Sequence, residues 1–121
     1  MTARLANITF DCDDALRVAG FWSAVLDRPL AAEPAPSEDF ACIGTVDHAG
    51  AGAPHWLFQK VPEPRTVKNR VHVDLVADDR EKEIARLLAL GATRAADHQE
   101  YGHTWSVMSD PEGNAFCVAG P

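Results

Sequence analysis

A chain of 121 residues carries one domain-sized hydrophobic core without needing disulfides or a metal. Its hydrophobic fraction of 46% and charged fraction of 24% are ordinary for a globular protein, which excludes a disordered or fibrous chain. Eleven Lys and Arg against eighteen Asp and Glu leave a net charge of −7. Such acidity argues against nucleic acid and membrane surfaces as partners, because both require clustered cations.

No apolar run reaches the roughly 18 residues of a membrane span, and Met1 to Phe10 lack the features of a signal peptide. The three cysteines, Cys12, Cys42 and Cys117, are odd in number and widely spaced. That usage predicts reduced thiols and a cytoplasmic location.

Leu5 to Asp11 alternates in polarity and predicts a half-buried strand. Asp13 or Asp14 then caps a helix whose apolar stripe is Ala15, Val18, Ala19, Trp22, Val25 and Leu26. Pro29 ends it. Strands are predicted at Phe40 to Val46 and Trp56 to Val61, separated by the loop Ala49 to Pro54.

The polar segment 62–69 (PEPRTVKN) reads as a connector between repeat one (1–61) and repeat two (70–121) of a single domain. Arg70 to Ala77 alternates again, Asp78 or Asp79 caps a second helix with Ile84, Leu87 and Leu88 buried, and Gly91 closes it. Short strands follow at Thr93 to Ala96, Thr104 to Met108 and Ala115 to Val118, the last two joined by the turn Asp110-Pro111-Glu112-Gly113-Asn114.

The pattern of strand, capping Asp and helix therefore occurs twice. Asn7 stands seven residues before Asp14, as His72 stands seven before Asp79. The expected fold class is α+β: two βαβββ repeats forming a curved sheet around a central cavity, with the helices outside.

The paired pattern, the phrase Phe21-Trp22-Ser23-Ala24-Val25-Leu26, the strand Asn69-Arg70-Val71-His72-Val73-Asp74-Leu75 and the closing Asp110-Pro111-Glu112-Gly113-Asn114-Ala115-Phe116-Cys117 resemble the glyoxalase/bleomycin resistance/dioxygenase group. This is the vicinal oxygen chelate superfamily, and the likeness is nearest to its small bacterial glyoxalase-like domains. Metal-using members supply one ligand from each of four strands, usually His or Gln, Glu, His and Glu. The resemblance carries those positions onto Asn7, Gln59, His72 and Cys117.

None of the four is a carboxylate, so a hard divalent ion would lack neutralising charge and no metal cofactor is expected. Asp11 and Asp74 share the strand faces of Asn7 and His72 as alternative donors. The expected function is binding of a small organic molecule in a cavity lined by Asn7, Gln59, His72 and Trp105, with Trp56 at its mouth. The alternative is a metal-dependent lyase or isomerase with His72, Gln59, Asn7 and Cys117 as ligands.

His72 is the candidate catalytic or anchoring group, since imidazole titrates near neutrality; its other reading is a structural cavity histidine. Trp22 reads as core by its helical spacing. His48, His55 and His103 read as loop residues. The resemblance and the uncovered sheet edges together imply a homodimer.

Overall fold

The computed structural model describes residues 2–44 and 54–121. His48, most of the Ala49 to Pro54 loop, and the end of the strand expected at Phe40 to Val46 lie outside the described residues. The chain divides into two compact units, Met1–Pro64 and Arg65–Pro121.

The first unit runs β1 (Asn7–Cys12), α1 (Ala15–Leu26), β2 (Phe40–Ile43) and β3 (His55–Lys60). Its three-stranded sheet has the order β1-β3-β2, with β1 parallel and β2 antiparallel to β3. Asp14 is the N-cap of α1, its carboxylate accepting from the Arg17 amide. The helix closes on Asp27 in the left-handed region, so it ends two residues before Pro29. Ala15, Val18, Ala19, Phe21 and Trp22 are buried, whereas Val25 and Leu26 are only half-buried.

The predicted βαβββ order is abbreviated here. Where a strand would follow α1, the described residues make a single antiparallel bridge, Leu30 to Ile43. Pro29, Pro34 and Pro36 flank it, and each removes a backbone donor that a longer ladder would need.

The second unit follows the full pattern: β4 (Val73–Val76), α2 (Arg80–Leu90), β5 (Thr93–Glu100), β6 (His103–Ser109) and β7 (Ala115–Ala119). Its sheet order is β4-β7-β6-β5, with β4 parallel to β7 and the remaining pairs antiparallel. Asp79 caps α2 by accepting from the Lys82 amide, and Gly91 closes the helix at φ +114°. Ile84 and Leu87 are buried, but Leu88 is 44% exposed, so the buried stripe is narrower than its sequence suggests.

β5 is twice as long as predicted and every residue of it is exposed. It is held by pairing with β6 through a bulge at Arg94–Ala96 and by the two-residue turn Tyr101-Gly102. Both turn residues have positive φ, as a tight hairpin requires. Phe116, Val118 and Met108 share a buried face with Ile84 and Leu87.

Candidate functional site

Alternation along β4 and β7 decides what the second unit presents on the face away from α2. Phe116 and Val118 are buried, so Ala115, Cys117 and Ala119 point the other way. On β4 the exposed residues are Asp74 and Val76, with His72 one residue before the strand. The parallel register sets Asp74 beside Cys117.

The result is a compact polar group. His72 Nε2 lies 3.4 Å from Asp74 Oδ1, and the donor atoms of His72, Asp74 and Cys117 all lie within 4.8 Å of one another. Burial, and then the Asp74 carboxylate that accepts the thiol's hydrogen bond, push the Cys117 thiol above its ordinary pKa. Cys117 is therefore a protonated thiol when nothing is bound.

This group forms one side of a cavity of about 700 Å³, whose remaining lining comes from His103, Thr104, Trp105, Ala119 and the Gly120–Pro121 backbone, with Gly102 at the hairpin. The volume suits a small organic molecule. Trp105 is half-buried there and stacks on His98 at 5.4 Å and 22°. A flat indole edge and a few convergent polar atoms are what such a ligand needs: area from the ring, orientation from the polar groups.

The opposite face of the same sheet is locked. Ser106 is fully buried, donating to Asp97 Oδ1 at 2.7 Å and accepting from Arg80 Nη1 at 2.6 Å. Arg80 also donates to the Gly120 carbonyl, and its amide donates to the Pro121 carbonyl. The Ser106 hydroxyl and then the Arg94 guanidinium hold the Asp97 carboxyl below its usual range, and Arg94 does the same for Glu81. These bonds tie the start of α2 to β6, which carries Trp105, and to the Gly120–Pro121 segment after β7.

His72 and Trp105 thus line one cavity of the second unit, and Cys117 joins them. Asn7, Gln59 and Trp56 are absent from that lining and belong to the first unit. Trp56 is 7% exposed, stacked on Phe10 and tilted against Trp22. Gln59 lies beside Asp11 in the register of β1 and β3, and its amide donates to Asp11 Oδ1 at 2.8 Å.

The register also corrects the carried-over ligand position. Thr9 and Asp74 each stand five residues before their helix caps, and Thr9 pairs with Leu57 whereas Asp74 pairs with Cys117. Leu57, not Gln59, is the first unit's counterpart of Cys117. His55 and His103 are strand residues rather than loop residues, opening β3 and β6.

The Asp110-Pro111-Glu112-Gly113-Asn114 turn is structural. The buried Asp110 carboxylate accepts from the amides of Glu112 and Asn114 and from the Asn114 side chain. Asn69 Oδ1 accepts from the Ala115 amide and fixes where β7 begins. Sequence reasoning missed His98, because β5 lacks any alternation that would have placed it beside Trp105.

The Glyoxalase-like domain family model matches residues 7–119. The chain belongs to that family. Among solved structures it is similar to a glyoxalase/bleomycin resistance protein/dioxygenase family enzyme from Burkholderia phytofirmans PsJN, at 21% identity over 98% of both chains with a TM-score of 0.74. It is also similar to the fosfomycin resistance protein FosX from Mesorhizobium loti, at 15% identity over 100% of this chain and 94% of that one, TM-score 0.69. A third is lactoylglutathione lyase from Agrobacterium tumefaciens, at 17% identity over 99% and 95% of the two chains, TM-score 0.64. No curated protein matches the sequence.

Family members often use divalent metals, and the residues here do not fit the four-strand, carboxylate-rich set that a hard ion needs. Asn7, Thr9 and Leu57 stand at the first unit's matching positions, and none carries a charge. Gln59 is engaged with Asp11. Among the described residues the three-donor group is His72, Asp74 and Cys117, all in the second unit.

Proposed function

We propose that this glyoxalase-like domain binds a small, planar, neutral organic molecule bearing hydroxyl groups, in the cavity of the second unit. The observation that carries the reading is one cavity lined at once by an indole and by a close His–Asp–Cys group. Trp105 supplies a flat apolar surface. Asp74 is a carboxylate with exposed oxygens, so it favours a ligand that donates hydrogen bonds and disfavours an anion.

His72, half-exposed and within reach of Asp74, completes the orientation of the ligand and is the group placed to exchange a proton with it. No step of this reading routes through a metal. The three free thiols suit a reducing, cytoplasmic setting.

The test is calorimetric titration of the protein, held in EDTA, with 2-naphthol and with 2-naphthoate. The reading predicts saturable one-site binding of 2-naphthol, weakened at least about tenfold by Trp105→Ala, or about 1.4 kcal/mol. It predicts weaker binding of the anion. Equal affinity for both probes, or no loss in the variant, contradicts it.

A further inference from the structure

The second half of β5 runs beside the residues of β6 that line the cavity. Asp97 pairs with Ser106, His98 with Trp105, Gln99 with Thr104 and Glu100 with His103. His103, Thr104 and Trp105 are cavity residues, whereas His98 is outside the lining. Across that register the His98 imidazole lies against the Trp105 indole, with ring centroids 5.4 Å apart and planes 22° from parallel. We propose that His98 is a positioning residue of the cavity: it backs the indole, restrains it in one orientation, and so prepares the surface on which a planar ligand stacks. The inference rests on the organic-ligand reading for the ligand and on the hairpin geometry for the residue.

Two consecutive residues of β5 grip two consecutive residues of β6, one pair on each face of the sheet. On the α2 side, Asp97 Oδ1 accepts from the buried Ser106 hydroxyl at 2.7 Å and from Arg94 Nη2 at 2.9 Å. A slip of one residue would carry every side chain of β5 to the other face. The bond to Ser106 therefore fixes which residue meets Trp105 on the cavity side, and that residue is His98.

Offset stacking at this separation is a favourable arrangement for two aromatic rings. Trp105 is half-buried beside an edge strand that is exposed along its length. A side chain in such a place keeps rotamer freedom that a ligand must remove on binding. An imidazole already against one face of the indole removes part of that freedom beforehand and leaves the rest of the ring for contact. The position calls for a flat ring; a truncated side chain gives up the restraint.

The test uses the full chain, isotope-labelled and held in EDTA, with the Trp105 indole N–H signal assigned through Trp105→Phe. In the protein alone, His98→Ala is expected to lower the heteronuclear NOE of the Trp105 indole and to leave those of Trp22 and Trp56 unchanged. His98→Phe restores it. In calorimetric titration, His98→Ala weakens 2-naphthol at least about threefold and His98→Phe recovers the affinity. Added to Trp105→Ala, His98→Ala causes no further loss, because its effect passes through the indole.

Gln99→Ala, the next residue of the same strand, changes neither readout, and far-ultraviolet circular dichroism confirms that each variant is folded. An unchanged Trp105 NOE in His98→Ala, failure of His98→Phe to restore either readout, or an equal loss in the Trp105→Ala background overturns the proposal. If 2-naphthol does not bind the parent protein, the organic-ligand reading fails, while the NOE of the protein alone still decides whether His98 restrains the indole.

Discussion

Trp56 and Trp105 both stand near the start of a strand beside a loop, and burial is what separates them. Trp56 fills the first unit's core among Phe10, Trp22 and Phe58, whereas Trp105 is half-buried on a cavity wall. Nothing in the local sequence distinguishes them, because the sheet face of a residue depends on a register that only the fold sets. Trp56→Ala should therefore cost about 3–5 kcal/mol of stability in urea unfolding, by the usual toll of deleting a buried aromatic. Trp105→Ala should leave the unfolding midpoint nearly unchanged while weakening 2-naphthol. Asp110 offers a second contrast. Its carboxylate satisfies three donors in a buried turn, so Asp110→Ala should destabilise by about 1–3 kcal/mol, measured the same way. The turn is here a device for closing the β6–β7 hairpin.

At the scale of elements, both helix caps and most strands were legible, because Asp caps and two-residue alternation act locally. Asp14 and Asp79 cap as their positions predict. β5 was the main miss: Ala95 to Glu100 shows no apolar face, and its extension rests on pairing with β6. The ion cluster that joins Arg94 and Asp97 of β5 to Glu81 of α2 gives it a pH signature. Glu81 and Asp97 have carboxyls depressed by Arg94 and Ser106, so their contribution is present above the ordinary carboxylate pKa and is lost as pH falls through the depressed values. Asp97→Asn should accordingly show a smaller loss of stability than the parent between about pH 4 and pH 2. Equal acid sensitivity of the two would show that this cluster is energetically silent. β7 is constrained at its end by Gly120, at φ +137°, where an added Cβ would strike the Ala77 carbonyl. Gly120→Ala should destabilise by more than about 1 kcal/mol and disturb the cavity that Gly120 lines.

For the whole molecule, the duplication was readable from two caps and two strands placed alike, and the α+β class followed. Of the candidate site residues, His72 and Trp105 fall on the lining of the second unit's cavity beside Cys117, which the resemblance gave only as a metal-ligand position, while Asn7, Gln59 and Trp56 stand in the first unit, with Leu57 two residues before Gln59 at the register position. A resemblance transfers ligand positions by strand order; the side chains that meet are set by register. We propose further that the chain pairs as a homodimer, since β4 and β5 are both sheet edges and β5 is exposed along its length. Sedimentation should then give twice the 13.1 kDa chain mass, and a mass of one chain at micromolar concentration contradicts pairing. The most direct test of the central claim is amide chemical-shift mapping of the EDTA-treated protein with 2-naphthol. Saturable shifts centred on Trp105, His103, Asp74 and Cys117, with Trp56, Asn7 and Gln59 unmoved, are the predicted result. No saturable shift, or shifts centred on residues of the first unit, would contradict it.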